Sequence, residues 1–247
     1  MRTADGARAP VKLGPIFSQM IPTSSLAAAR LGAWSGTALV LVGAAYVVVL
    51  GTGFTRHGLS EPITDPILAV MEVLTIASAL PVLTLCVALH AVTEPTRRVW
   101  SILALSFAGM FALTTITVHT VELTAGRQLG SAGLVWPSTT YAVELVAWDL
   151  LLGMCLLAVW AALGPEHAAR RLRAAVLVTS ACCLAGLSGP AVGNMRWQLI
   201  GVFGYSVLLP VVAWGMRGWF LSARTGTSST GARLRYRSFN HRKGTTS

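Results

Sequence analysis

Six long apolar stretches constrain the fold of this chain more than any other feature. They cover approximately residues 28–52, 66–92, 99–122, 141–163, 172–193 and 197–220. Each is long enough for a bilayer-crossing helix, which needs about 20 consecutive, mostly apolar residues. Only 11% of the residues are charged, which leaves too few for the surface of a soluble domain. The sequence therefore predicts an all-α fold, a polytopic integral-membrane bundle of six helices.

The basic residues are divided very unevenly between the two ends of the predicted helices. Sixteen of the 19 lie at one end, in both terminal regions and in the loops after the second and fourth helices. The other three, Arg56, Arg127 and Arg196, are spread one to a loop at the opposite end. Because cytoplasmic loops carry the excess of Lys and Arg, this pattern predicts an inner-membrane, multi-pass protein with both termini in the cytoplasm.

The chain divides into three predicted regions. Residues 1–27 form a basic cytoplasmic segment, residues 28–220 the bundle, and residues 221–247 a disordered basic tail. The formal net charge of +10 is explained by topology, so we predict contact with the lipid bilayer and no nucleic-acid partner. A composition rich in Ala, Gly and Arg, with only two lysines, is typical of a GC-rich bacterial genome.

Ionisable side chains inside the predicted helices fall almost entirely in their outer halves. A charge at mid-span costs about 2.5–3.5 kcal/mol, so such residues should face the interior or a cavity. Five helices bring polar residues to this depth, the fifth through the segment "LSGPAVGN" near its outer end. We therefore predict an outward-facing acidic pocket that binds a ligand. Its candidate residues are Glu72, His119, Glu122, Glu144, Asp149 and Tyr205.

Helical spacing separates these candidates further. Thr115, His119 and Glu122 follow an i, i+4, i+7 pattern and share one face of the third helix. Glu144 and Asp149 are five residues apart, about 140° around the helix axis, so they cannot both point into one pocket. We expect Asp149 at the centre of the bundle and Glu144 near water.

The pair His119 and Glu122 has the i, i+3 spacing found in carboxylate–imidazole metal sites. No second histidine motif completes such a site, so we predict no metal and instead a His–Glu hydrogen bond that tunes a proton site. The four cysteines show no C-x-x-C spacing and are interpreted as small buried hydrophobic residues. No cofactor is implied.

Three hypotheses for the function follow. The first is a small carrier or ligand-responsive membrane component whose acidic pocket binds a cation, a proton or a small amphipathic ligand. In it Asp149 is the central charge, and Glu72, His119 and Glu122 tune its protonation. The second is an intramembrane enzyme acting on a lipid or isoprenoid by terpene-cyclase-like acid catalysis. In it Asp149 or Glu72 is the general acid, and Trp148 and Tyr205 stabilise a carbocation.

The third hypothesis is an assembly subunit, and a homo-oligomer is one of the assemblies that the sequence allows. Gly32 and Gly36 form a G-x-x-x-G face on the first helix, and Gly43 continues it. Small residues at this spacing allow two helices to approach closely. Whether the protein catalyses a reaction does not follow from the sequence.

Overall fold

A computed structural model describes residues 23–58, 61–130, 136–165 and 168–222. Within these ranges the chain forms helices and turns and contains no strand. Among the described residues six helices are long and apolar enough to cross a membrane, which confirms the all-α class and the predicted number of helices. They are α1 Thr23–His57, α2 Ile67–Val92, α3 Pro95–Leu129, α4 Thr139–Ala162, α5 Arg170–Ala191 and α6 Leu199–Ser222.

Two helices are longer than predicted. α1 continues to His57 instead of ending near residue 52, and α3 continues to Leu129 instead of ending at Glu122. The apolar stretch of α3 stops where its polar residues begin, but the helix continues to Leu129. Arg127 in this last part of the helix bonds to Asp65 and Glu72. The predicted terminal regions lie outside the described residues, except that residues 23–27 and 221–222 are helical.

The six helices form a closed ring. Each packs against the next in the chain, and α6 returns to α1. We call the end at which α1, α3 and α5 finish and α2, α4 and α6 begin the cavity end. The other end, where the described chain starts and stops, is the terminal end.

Glycines on α1 allow α6 to approach closely. A Cβ at Gly36 would lie 2.8 Å from the carbonyl oxygen of Ala213, and a Cβ at Gly32 or Gly43 would overlap an α6 side chain. Those side chains are Phe220 and Pro210, respectively. The predicted small-residue face of α1 therefore makes its close contact within the bundle.

Apolar side chains fill the interior of the ring and also cover its outside. Phe111, Leu152 and Met216 are among the fully buried ones. Large apolar side chains such as Trp34 and Leu113 are exposed on the outer surface. This inside-and-outside distribution is that of a helix bundle surrounded by lipid, and it indicates a multi-pass membrane protein.

Candidate functional site

A cavity of about 370 Å³ lies at the cavity end, between five of the six helices. This volume is within the range of small-molecule sites. Its polar and aromatic lining includes Tyr46 of α1, Glu72 of α2, His119 of α3, Tyr141 and Glu144 of α4, and Gln198 and Tyr205 at and in α6. Glu61 and Trp136, both exposed, stand at the mouth.

Local structure at the start of α4 positions three of the lining residues. Ser138 is the N-cap of this helix, and its Oγ accepts a hydrogen bond from the backbone N–H of Tyr141 at 3.1 Å. Tyr141, Glu144 and Trp148 then follow at i, i+3 and i+7 and lie on one face. The cap thus fixes the first turn of α4, the helix that carries the cavity-lining carboxylate of Glu144.

Non-α backbone occurs in three of the helices around the cavity. Among the described residues, π-helical segments occur at Glu122–Gly126, Val146–Leu151 and Gly204–Leu208. The first and third lie in the half of their helix that is nearer to the cavity end, and the second extends from that half to the middle of α4. Such segments are rare and are frequent at functional sites.

Arg127 connects two acidic residues at one side of the cavity. Its Nε and Nη2 donate to the two carboxylate oxygens of Asp65 at 2.9 Å each. Its Nη1 lies 2.8 Å from Oε2 of Glu72 and 3.1 Å from the carbonyl oxygen of Glu122. Glu72 is only 2% exposed. The three charged groups together retain one negative charge.

The Asp65 carboxylate lies outside the helices and is about half exposed. Hydrogen bonding to the Arg127 guanidinium lowers the pKa of Asp65 from its ordinary value. A bidentate arginine–carboxylate pair of this kind has a defined geometry. It attaches the segment before α2 to the end of α3.

Glu144 is a carboxylate of the inner cavity wall that has no lysine or arginine partner among the described residues. It is 23% exposed, and no Lys or Arg side chain of the described residues lies within ion-pair distance of it. Its neighbour is His119, whose Nε2 lies 3.4 Å from Glu144 Oε1. His119 is 2% exposed, and neither ring nitrogen has a hydrogen-bond partner among the described residues.

The predicted hydrogen bond between His119 and Glu122 is therefore wrong. Thr115, His119 and Glu122 are all buried, as their shared helix face predicts. However, Glu122 opens the π segment, and its carbonyl oxygen accepts from Arg127. The carboxylate near His119 comes from α4 instead.

A smaller, deeper chamber of about 40 Å³ continues the cavity towards the middle of the bundle. Tyr46, Thr75, Glu144 and Tyr205 line both spaces, so Glu144 stands at their junction. The deeper walls include Ser78, Trp148 and Ser206. Beyond them the described lining becomes entirely apolar around a void of about 20 Å³.

Asp149 lies away from both spaces, in a crevice between α4, α5 and α6. It is 0% exposed, and neither carboxylate oxygen has a hydrogen-bond partner among the described residues. A Cβ at Gly186 would lie 2.7 Å from its Oδ1, and a Cβ at Gly201 would overlap that atom. These two glycines leave the space that the carboxylate fills.

The arrangement of the α4 carboxylates differs from the expected one. Asp149 was expected as the central charge of the pocket but lies outside the lining, whereas Glu144, expected near water, lines both spaces. The two carboxylates do not share a pocket, in agreement with their spacing. The described part of α5 contributes no lining residue, whereas α1 contributes Tyr46. The difference arises because the sequence analysis assigned α5 to the pocket through its Gly/Pro segment and did not consider Tyr46 of α1.

Several site residues were missed in the sequence. Arg127, five residues after Glu122, was interpreted as a loop residue. Its partner Asp65 precedes a proline, which indicates that a helix starts nearby. Tyr46 lies three residues after Gly43, on the same helix face, and that spacing could have placed it in the interior. Trp136 and Tyr141 flank Ser138, whose position before an apolar stretch is a helix-start signal.

Neither a group of metal ligands among the described residues nor a similar protein indicates the function. Within the described ranges, no three His, Cys, Asp or Glu side chains are grouped so that they could hold a metal ion. The chain matches no protein-family model, no curated protein and no solved structure. The function must therefore be inferred from the geometry of the cavity.

Proposed function

We propose that this protein binds a small cation or a cationic amphipathic ligand in the cavity, as a small carrier or a ligand-responsive membrane component. The observation that supports this is Glu144, a partly exposed carboxylate that faces the cavity with no Lys or Arg of the described residues in ion-pair distance. Glu61 at the mouth and the net negative cluster of Asp65, Glu72 and Arg127 add to the negative electrostatic potential of the cavity. A cleft lined by one sign of charge attracts ions of the other sign.

The membrane orientation belongs to the same proposal. The uneven distribution of basic residues favours a bacterial inner-membrane protein with cytoplasmic termini and a cavity that opens outward. Of the three arginines at the cavity end, Arg127 is already bound to carboxylates. Neither Arg56 nor Arg196 is among the lining residues, so the described lining of the cavity contains no lysine or arginine to oppose a cation.

Access from one side only is consistent with a carrier in one of its states. The polar walls end at the deep chamber, and Leu39 and Leu209 line both this chamber and the apolar layer beyond it. An apolar layer opposes passage of a charged ligand, because a charge there would lose its hydration. A second conformation would be needed for release at the terminal end.

The two alternative hypotheses have less support. Of the two candidate general acids, Asp149 lies outside the cavity lining and Glu72 is paired with Arg127. An acid that is to protonate a substrate must reach it. The glycine face that suggested an assembly subunit packs against α6 of the same chain. Cation binding is therefore the hypothesis that the geometry favours.

Neutralising the cavity carboxylate is expected to remove the response to cations. We expect tetramethylammonium, a simple cationic probe, to raise the melting temperature of the purified protein in detergent by mass action. Glu144→Gln should weaken this binding about 10- to 100-fold, because the ammonium ion loses its Coulombic attraction to a partly desolvated carboxylate. The measurement is a thermal-unfolding titration with sodium, potassium and calcium ions in parallel.

Asp149→Asn is the matched control, since it neutralises a carboxylate five residues away in the same helix. It should retain the response of the wild type, because Asp149 does not line the cavity. An unchanged response in Glu144→Gln would contradict the proposed function. Loss of the response in Asp149→Asn alone would move the site to the crevice.

A further inference from the structure

We propose that the ligand is an organic ammonium ion that carries a hydrogen-bond acceptor a few bonds from its charged nitrogen. The nitrogen lies beside Glu144, and the acceptor enters the deep chamber. This inference rests on the proposed function and names the chemical class of its ligand. Three features of the described residues support it.

The first feature is the aromatic wall around Glu144. Tyr46, Tyr141 and Tyr205 come from three different helices and line the same cavity. Aromatic faces attract organic cations, and quaternary ammonium ligands are recognised by such walls. A hard metal cation instead requires six or more oxygen ligands, whereas the described residues of the inner wall offer a single carboxylate that is not paired with arginine.

The second feature is a pair of unused hydrogen-bonding groups in the deep chamber. Ser206 Oγ and Trp148 Nε1 are buried, and neither has a hydrogen-bond partner among the described residues. Both residues line this chamber. Buried polar atoms in native proteins nearly always have a hydrogen-bond partner, so two such atoms without one in the same chamber indicate a bound group. Each can donate a hydrogen bond, so the group that fits is an acceptor.

The third feature is the position of Glu144 at the junction of the two spaces. An ammonium ion beside it can extend one substituent inward and the remainder into the cavity. The deep chamber of about 40 Å³ has room for about three water-sized spheres, enough for an ether or a carbonyl group. The larger cavity, with Leu50 and Phe54 in its wall, accommodates an apolar remainder.

Two probes of equal size test the acceptor directly. (2-Methoxyethyl)trimethylammonium and butyltrimethylammonium differ only by an ether oxygen in place of a methylene group. We expect the wild type to bind the methoxyethyl probe about 3- to 10-fold more tightly, as measured by calorimetry in detergent. Ser206→Ala and Trp148→Phe should each bring the ratio of the two affinities towards one, while the affinity for butyltrimethylammonium changes little.

Ser78→Ala is the matched control for the serine substitution. Ser78 lines the same chamber, but its hydroxyl already donates to the carbonyl oxygen of Thr75 at 2.7 Å. The control should therefore keep the full preference for the ether. Loss of preference in Ser78→Ala to the same degree as in Ser206→Ala would overturn the assignment of the acceptor site.

The outcomes separate this inference from the proposed function. If both probes bind equally and Glu144→Gln weakens both, the two donors bind water, the acceptor is overturned, and cation binding stands. If only metal cations bind in a Glu144-dependent manner, the organic class is overturned and cation binding again stands. If no cation binds the wild type, both proposals are overturned.

Discussion

Replacing Arg127 with glutamine is expected to lower the free energy of unfolding by about 3–5 kcal/mol. The substitution leaves Glu72, which is 2% exposed, without its counter-charge. Removing one member of a buried ion pair has a cost of this size, because the remaining charge stays desolvated. Loss of the ion pair with the exposed Asp65 adds little to the loss of stability, since water solvates Asp65 in either case. Reversible unfolding in mixed detergent–lipid micelles measures the difference.

The double variant Glu72→Gln/Arg127→Gln should recover more than half of the lost stability. It removes both charges, and neutral partners in a buried position cost less than a lone charge. Arg196→Gln is the control, because Arg196 is exposed at the same end of the bundle. Its effect should remain within about 0.5 kcal/mol. An Arg127→Gln effect no larger than this control would show that Glu72 is stabilised in another way.

Adding one methyl group at Gly201 is expected to destabilise the bundle by about 1–3 kcal/mol. The new Cβ would overlap Oδ1 of Asp149 and lie 3.1 Å from the Cα of Gly186. The second contact is with backbone, so a side-chain rotation cannot relieve it. The same unfolding measurement, applied to Gly201→Ala, tests the closeness of the α4, α5 and α6 contact.

Gly109→Ala in α3 provides the comparison. A Cβ there would meet nothing within 4 Å, so alanine should be neutral or stabilise by about 0.5–1 kcal/mol through its better helix propensity. Adding Asp149→Ala to Gly201→Ala should recover part of the loss, since it removes the overlapping carboxylate. If Gly201→Ala behaves like Gly109→Ala, the crevice is wider than the structure indicates.

The positions of the helices and the depth of the polar residues follow from the sequence alone. A helix hydrogen-bonds its own backbone, so its position follows from a local run of apolar residues, and all six were predicted on that basis. Depth along a helix is also local, because each residue adds a constant rise. The same regularity predicted that Glu144 and Asp149 face different neighbours.

The tertiary structure alone decided what those neighbours are. Periodicity says which residues share a face, but the partner of a face depends on how the helices are ordered around the ring. That ordering places Tyr46 and Glu144 in the wall of the cavity. It places Asp149 in a crevice, where two glycines of other helices leave space for the carboxylate. It also brought Arg127 to Glu72 across a long separation in the chain. Such contacts join distant segments, so no local pattern could have predicted them.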